Sequence, residues 1–202
     1  MQTTNRKYST VNKLNYLPDF EGDQKDQRSW IWWTYAWLSL AKRCIKPGGV
    51  FIIFTDWRQY PALTDALQWS GWQWRGCAVW DKVNARPQKG RPRQQCEFLI
   101  WGSNDKLSSD RDVPILPGLY QYTSPPTNRR VHQTQKPLKL MRDLVKFCEP
   151  GGKILDPFMG SGTTILASLL EGYRSVGIEK SKEIFEAAEK RLNNSLRCQN
   201  GS

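Results

Sequence analysis

Apolar residues along the chain follow two periods that alternate with each other. A helical spacing of three to four residues marks the segments 30–45, 61–69, 137–148, 164–170 and 181–196. Short apolar runs typical of strands lie between them, at 50–54, 72–80, 96–101, 154–155 and 174–178. Helices that alternate with buried strands predict an α/β fold, in which helices cover both faces of a sheet.

Residues at the ends of these segments support their boundaries. Ser29 is the predicted N-cap of the first helix, and Ser181 is that of the last. Pro47-Gly48-Gly49 and Pro150-Gly151-Gly152 each end a helix just before a strand. Asp56 follows the first strand and serves either as a site residue or as the cap of the next helix.

The stretch between the strand at 154–155 and the helix at 164–170 joins an acidic residue to a glycine turn. It reads Asp156-Pro157-Phe158-Met159-Gly160-Ser161-Gly162-Thr163. The following strand ends in a second acid, Glu179. Two carboxylates therefore lie at the carboxyl ends of neighbouring strands, where open α/β sheets bind ligands.

Three ligands are candidates for such a turn. A phosphate loop needs a lysine after its last glycine, whereas Thr163 follows Gly162 here. A dinucleotide site needs a third glycine, and Asp156 would repel the pyrophosphate. S-adenosylmethionine fits better, because Asp156 attracts a cationic ligand and Glu179 can accept hydrogen bonds from ribose hydroxyls. An ordinary turn that needs glycines only for its geometry is the alternative.

Charge indicates a second kind of partner. The 202 residues have a formal net charge of +11, which favours a polyanion, most simply nucleic acid. Residues 82–93, called here the basic loop, contain no acid and two prolines, so they predict either a solvated loop or a phosphate-binding one. We favour phosphate binding by its cations, which are Lys82, Arg86, Lys89, Arg91 and Arg93.

A proline-rich, irregular insertion follows at 103–131. It carries Tyr120, Tyr122, Arg129 and Arg130, which suit contacts with bases and phosphates.

The remaining composition favours an unanchored, metal-free protein. The sequence has neither a signal peptide nor an apolar run of membrane length. His132 is the single histidine, and no metal-binding partners accompany it. The cysteines are odd in number and lack Cys-x-x-Cys spacing, so we expect reduced core thiols in a cytoplasmic protein. They are Cys44, Cys77, Cys96, Cys148 and Cys198.

Several of these motifs, in this order, resemble the permuted amino-group DNA methyltransferases. The resemblance covers about 14–195 and is most specific in the last two motifs. The motifs are 54–59 (Phe-Thr-Asp-Trp-Arg-Gln), 79–82 (Val-Trp-Asp-Lys), 97–102 (Glu-Phe-Leu-Ile-Trp-Gly), 132–137 (His-Gln-Thr-Gln-Lys-Pro) and 156–164.

The resemblance implies a Rossmann-like fold with a mixed sheet, S-adenosylmethionine as cofactor and double-stranded DNA as partner. Residues expected to line the cofactor are Asp156, Phe158, Gly160, Ser161, Gly162, Thr163 and Glu179, with His132, Gln135, Lys136 and Pro137 at its methionine end. The implied organisation is a polar segment (1–28), a methyltransferase domain (29–102 and 132–196), a target-recognition insertion (103–131) and a tail (197–202).

The chain departs from the family at the catalytic tetrapeptide, which is Asp, Asn or Ser followed by Pro-Pro and an aromatic residue. No such tetrapeptide precedes Trp30, where the family's order requires it. The near match Ser124-Pro125-Pro126-Thr127 lacks the aromatic residue and follows no apolar strand. In the family, the strand before this motif lies between those at 153–155 and 50–54. We therefore expect natural sequence upstream of Met1, a degenerate remnant, or a homodimer or other chain that supplies the strand.

These features leave three functions open. The leading one is methyl transfer to the amino group of a flipped base, adenine rather than cytosine, by a truncated enzyme. The second is a catalytically inactive DNA- or S-adenosylmethionine-binding remnant or subunit. The third is methylation of RNA, protein or a small molecule, and the basic loop disfavours small substrates.

Replacing Arg91 and Arg93 by Ala removes two cations from the basic loop. We expect weaker DNA binding, with the slope of log affinity against log salt reduced in magnitude by about 2, because each phosphate contact contributes about 0.9 to that slope. Equilibrium binding of duplex DNA across a salt series measures both effects. Unchanged binding would place the loop outside the interface.

Overall fold

The computed structural model describes residues 25–126 and 135–200, without the side chains of 198–200. Predictions for the first 24 residues, Arg129, Arg130 and His132 lie outside these ranges. The described helices and strands alternate much as the apolar pattern predicts. They are α1 (Gln27–Cys44), β1 (Val50–Thr55), α2 (Tyr60–Trp69), β2 (Gln73–Asp81), β3 (Cys96–Ser103), β4 (Leu119–Gln121), α3 (Leu138–Val145), β5 (Lys153–Asp156), α4 (Thr163–Leu170), β6 (Arg174–Gly177) and α5 (Lys182–Asn200).

The strands form two ladders. The first has the order β1-β3-β2-β4, with β3 antiparallel to both of its neighbours and β4 parallel to β2. The second contains the parallel pair β5 and β6. The α/β fold with mixed strand directions is confirmed, but among the described residues no ladder joins the two sheets.

Helix α3 holds the two sheets together. Its side chains Leu140, Met141, Leu144 and Val145 are buried in one core cluster with Trp80 and Leu99 of the first sheet. Ile154 of β5 packs against the same cluster. A second cluster lies between α1, α2 and the other face of the first sheet, around Leu38, Leu67 and Ile100. The two faces of the first sheet are thus covered by different helices.

The first helix begins earlier than predicted. Asp26, not Ser29, is its N-cap, since the Asp26 Oδ1 accepts hydrogen bonds from the backbone N–H groups of Arg28 and Ser29 at 3.0 and 3.1 Å. Ser29 lies inside the first turn and donates its hydroxyl to Asp26 Oδ2 at 2.7 Å. The ionised Asp26 carboxylate is a stronger acceptor for the free N–H groups of the first turn than the Ser29 hydroxyl is. Its negative charge is also favourable at the N-terminus of a helix.

The cysteine prediction is half right. Cys44, Cys77, Cys96 and Cys148 are all free thiols, but the first three are exposed and do not belong to the core. Cys77 and Cys96 lie at outward-facing positions of β2 and β3, and Cys44 ends α1. An apolar neighbourhood in sequence does not decide which face of a strand a residue occupies, because successive side chains alternate.

Two kinds of structural feature are absent from the described residues. No helix in 25–126 or 135–200 is long and apolar enough to cross a membrane. Within the same ranges, no three side chains of His, Cys, Asp or Glu come together as a group able to hold a metal ion.

Candidate functional site

The glycine turn after β5 brings the two predicted carboxylates to one end of the small sheet. Strands β5 and β6 run parallel, with Asp156 opposite Gly177 in the ladder. The backbone N–H of Ile178 donates to the Asp156 carbonyl at 2.9 Å, and that of Met159 donates to the Ile178 carbonyl at 2.9 Å. The turn therefore continues the ladder beyond the last strand residue and leaves Asp156 and Glu179 beside each other at the carboxyl edge.

Both predicted glycines are required by the turn itself. Gly160 and Gly162 have φ angles of +49° and +71°, the left-handed region that favours glycine. Gly162 also occupies the N-cap position of α4, and a Cβ there would lie 3.4 Å from the Cβ of Ala188 on α5. Gly162 is thus confined by backbone geometry and by close helix packing.

Glu179 shapes the turn as well as facing it. Its Oε2 accepts a hydrogen bond from the Gly160 N–H at 3.0 Å, and its Oε1 accepts one from the Ser181 N–H at 2.9 Å. Each carboxylate oxygen has a further lone pair, so two ribose hydroxyls can still donate to it. These two backbone hydrogen bonds fix the position of the Glu179 carboxylate without the help of a ligand.

An arginine that sequence reasoning missed fixes the same turn from α5. The Arg191 Nη1 donates to the Ser161 carbonyl at 2.8 Å and to the Thr163 Oγ1 at 2.9 Å. Residues Ser161 and Thr163 are 4% and 5% exposed. Their hydroxyls lie 3.2 Å apart, so both are engaged in holding the turn.

Asp156 is a carboxyl whose ionised form is unfavourable in the folded chain. Burial raises the pKa of its carboxyl above the ordinary value, and the nearby Glu179 charge raises it further. Hydrogen bonds from the Thr164 side chain and the Phe158 N–H lower the pKa of Asp156, but by less than burial raises it. A positive group beside Asp156 would relieve the cost of its ionised form.

Two tryptophans of α1 lie against the aromatic residue of the turn. The Phe158 ring centroid is 5.4 Å from that of Trp33 and 5.1 Å from that of Trp37. Phe158 is nonetheless 51% exposed, so part of its ring remains open for stacking. The helical pattern of α1 indicated that Trp33 and Trp37 share a face, but not that this face meets the turn.

A cavity of about 750 Å³ opens beside the turn and runs between the two sheets. Most of the predicted cofactor residues line it, namely Asp156, Phe158, Gly160, Ser161, Thr163, Gln135 and Lys136. Glu179, Gly162 and Pro137 are not part of its lining. Pro137 is buried and precedes the first turn of α3.

Lys136 and Lys82 share one partly buried carboxylate. The Nζ atoms of Lys82 and Lys136 each lie 2.8 Å from an oxygen of Glu97, whose side chain is 20% exposed. Burial by itself would raise the pKa of Glu97, but the two ammonium groups outweigh it and hold the pKa below its usual range. The Lys136 ammonium also lies 4.8 Å from the Phe54 ring centroid. Glu97 was not singled out as a site residue from sequence.

The basic loop connects β2 to β3. Four of its cations, Arg86, Lys89, Arg91 and Arg93, are exposed, whereas Lys82 is turned inward to Glu97. Since β1 and β2 are both antiparallel to β3, the loop lies at the edge where β1 also ends. At that end of β1, the Asp56 Oδ1 accepts hydrogen bonds from the N–H groups of Arg58 and Gln59. Asp56 thus closes the turn that precedes α2, but the N-cap of that helix is Gln59.

The whole arrangement corresponds to a known family. A family model described as DNA methylase, of the N6/N4 type, matches residues 3–190. The chain belongs to the N6/N4 DNA methylase family. The resemblance proposed from the sequence motifs is thereby confirmed.

Individual relatives agree with this assignment. The chain is 26% identical over 173 residues to the methylase YubD of Escherichia coli K12, and 28% identical over 173 residues to the type II methyltransferase M2.DpnII of Streptococcus pneumoniae. These alignments cover 85% and 77% of this chain, and 71% and 65% of the respective relatives. The chain thus spans about two thirds of the length of each.

Solved structures show the same fold. A complex of M1.HpyAVI with S-adenosylmethionine superposes with a TM-score of 0.68 at 31% identity, over 79% of this chain and 81% of that one. The cytosine-N4-specific PvuII DNA methyltransferase gives a TM-score of 0.66 over 90% of this chain and 83% of that one. Its 17% identity supports the fold alone. S-adenosylmethionine in the first structure agrees with the cofactor predicted from the glycine turn.

Replacing Glu97 by Gln should destabilise the fold, because two partly buried ammonium groups would lose their shared counter-charge. We expect a loss of about 3 kcal/mol in the free energy of unfolding at pH 7. Since the pKa of Glu97 is lowered by folding, its contribution is present above the unfolded carboxyl value and is lost as pH falls through the folded one. The difference in the free energy of unfolding between wild type and Glu97→Gln should therefore become smaller as the pH falls.

Urea unfolding at neutral and acidic pH measures this difference. Glu189→Gln, which neutralises an exposed carboxylate of α5, is the matched control. A loss for Glu97→Gln no larger than for Glu189→Gln would contradict the assigned role.

Proposed function

We propose that this chain binds S-adenosylmethionine at the glycine turn and acts on an exocyclic amino group of a base in double-stranded DNA, with adenine as the target. The observation that carries the proposal is the pair of carboxylates, Asp156 and Glu179, on either side of a glycine turn that also presents the half-exposed Phe158 ring. This combination suits a ligand with a cationic end, a ribose and a purine.

Each group has a separate task in this proposal. Asp156 holds the cationic amino-acid end, Glu179 accepts the ribose hydroxyls, and Phe158 packs on the purine. S-adenosylmethionine supplies an electrophilic methyl group when bound. The exocyclic nitrogen of the base forms a bond to the methyl carbon as the carbon–sulfur bond breaks, and that nitrogen then releases one proton.

The exposed cations of the basic loop support DNA as the substrate. Arg86, Lys89, Arg91 and Arg93 are exposed and can contact phosphates, whereas Lys82 is held in an ion pair with Glu97. They lie at the carboxyl edge of the first sheet, where a flipped base would have to enter. Adenine is preferred to cytosine on overall resemblance to the family.

A second candidate function is binding of cofactor and DNA without methyl transfer. It is favoured by the lack of a Pro-Pro-aromatic tetrapeptide among the 202 residues. The near match at 124–126 is hydrogen-bonded to the basic loop, where the Ser124 N–H donates to the Asn84 Oδ1 at 3.0 Å. Neither Ser124 nor Asn84 lines the cavity beside the turn.

Incubation of the chain and duplex DNA with S-adenosylmethionine labelled at the methyl group separates the two functions. Methyl transfer predicts acid-stable label in DNA, recovered as N6-methyladenine after digestion. Label recovered as N4-methylcytosine would overturn the choice of base. Saturable cofactor binding with no label in DNA would favour the second function, and no cofactor binding would refute both.

Replacing Asp156 by Asn should weaken cofactor binding without lowering the stability of the fold. Because folding raises the pKa of Asp156, the stability linked to its protonated form is fully present below its ordinary pKa of 3.8 and is lost as pH rises through the higher folded value. The ionised group therefore opposes folding at pH 7, and Asp156→Asn should keep or raise the melting temperature.

The same variant should bind S-adenosylmethionine at least about tenfold more weakly, since it loses the charge that attracts the cationic end. Calorimetric titration and thermal melting at pH 7 measure both effects. Asp65→Asn, at an exposed position of α2, is the control and should change neither. Unaltered cofactor affinity in Asp156→Asn would remove Asp156 from the site.

A further inference from the structure

We propose that Trp57 is a stacking platform for a base that has left the helical stack of DNA. The residue lies in the turn between β1 (Val50–Thr55) and α2 (Tyr60–Trp69), and it is 58% exposed. This inference rests on DNA as the substrate in the proposed function. It adds a residue that would contact a base, whereas the cations of the basic loop would contact phosphates.

The turn fixes Trp57 and places a cation on its ring. The Asp56 Oδ1 accepts hydrogen bonds from the N–H groups of Arg58 and Gln59, and the Asp56 Oδ2 accepts one from the Arg58 Nε at 3.0 Å. The Arg58 guanidinium lies over the indole of Trp57, 5.9 Å from the ring centroid. Asp56 therefore holds Arg58 against the indole, and the exposed part of the ring is available to a second planar group.

Trp57 lies at the same edge of the first sheet as the basic loop. Thr55 of β1 and Val79 of β2 are both opposite Phe98 of β3 in their ladders. Neighbouring strands are about 4.8 Å apart, so the ends of β1 and β2 lie about 10 Å from each other. This separation is comparable to the width of the major groove, about 12 Å, so one stretch of duplex can reach Trp57 and the loop together. The exposed cations of the loop are Arg86, Lys89, Arg91 and Arg93.

The turn that holds Trp57 is also on the side of the proposed cofactor site. Lys46, just before β1, lies 3.1 Å from Glu149, just before β5, so these two strands begin at the same end of the molecule. Near the other end of β1, the Lys136 ammonium lies 4.8 Å from the Phe54 ring centroid, and Lys136 lines the cavity beside the glycine turn. A base at Trp57 would thus lie on the side where the proposed function places the methyl donor.

Position separates Trp57 from an ordinary surface residue, since single exposed apolar side chains are common. Trp69 is 66% exposed, but it ends α2, about 15 Å along the helix from its start. Gln73 of β2 and Val50 of β1 are both opposite Ser103, so Trp69 lies near the amino ends of these strands, away from the basic loop. Trp69 is therefore the matched control for Trp57.

The chemistry of an indole selects a base that is out of the stack. Every base has a π-face, and stacking on an aromatic side chain does not depend on sequence. Inside a paired duplex, both faces of a base are covered by its neighbours. An indole can therefore stack only on a base that has been extruded or has lost a neighbour, as happens when a base is flipped.

The test compares two duplexes of the same mixed sequence, one with a single unpaired adenine and one with that adenine paired to thymine. The unpaired adenine leaves the stack at low cost, so it is available to Trp57, whereas the paired adenine is not. We expect the chain to bind the first duplex about tenfold more tightly, because stacking of one base on an aromatic side chain contributes roughly that much affinity. Trp57→Leu should lose this preference and bind the fully paired duplex as wild type does.

Matched variants locate the effect. Trp57→Phe keeps an aromatic face and should keep most of the preference, and Trp69→Leu should keep all of it. Since Trp57→Leu removes no cation, its slope of log affinity against log salt should equal that of wild type. An unchanged preference in Trp57→Leu, or an equal loss in Trp69→Leu, would overturn the assignment. So would weaker binding of both duplexes by Trp57→Leu with a reduced salt slope.

The same measurements separate this inference from the proposed function. No binding of either duplex by the wild-type chain would count against DNA as the substrate, and the role of Trp57 would be refuted with it. Binding of both duplexes by wild type without any effect of Trp57→Leu would overturn the role of Trp57 alone. The transfer of labelled methyl groups to DNA would then still test the proposed function.

Discussion

Burial of the apolar face of α3 is the interaction on which the rest of the structure depends. The described strands form two ladders that share no backbone hydrogen bonds, so side-chain packing must join them. Leu140, Met141, Leu144 and Val145 supply it, at about 2 kcal/mol for each fully buried side chain. The carboxylates of the small sheet and the basic loop of the large one keep their relative positions only while this helix is packed.

The conformation of the glycine turn is fixed by hydrogen bonds to side chains that lie outside it. Glu179 accepts a hydrogen bond from the Gly160 N–H of the turn, and Arg191, on α5, donates to the Ser161 carbonyl and the Thr163 hydroxyl. Asp156, in contrast, bears an unfavourable charge, since its pKa is raised by burial. A stabilised frame around a destabilised carboxylate is the arrangement expected where a cation is to bind.

Local features of the site were predictable, and distant partners were not. The strand, acid and glycine turn at 153–163 are contiguous, and their conformation follows from the need of Gly160 and Gly162 for positive φ. Arg191 could not be found in this way, because it lies 30 residues from Ser161 and only the packing of α5 brings them together. Glu97 was missed as a site residue for the same reason, because its partner Lys136 is 39 residues away in the chain. Ser29 was misassigned as a cap because a stronger acceptor, Asp26, stood just upstream.

By itself, the sequence determined the kind of protein. Two hydrophobic periods specify which segments are helices and which are strands. The order of short motifs from 54 to 164 identifies the family, because each motif is a run of neighbouring residues. Only the tertiary structure decided which charges are paired, which cysteines face water and where the sheets end. Among the described residues, the pairing of β1 with β3 and of β5 with β6 belongs to that second group. An apolar run predicts burial of a strand, but its hydrogen-bond partners are chosen by packing between residues far apart in the chain.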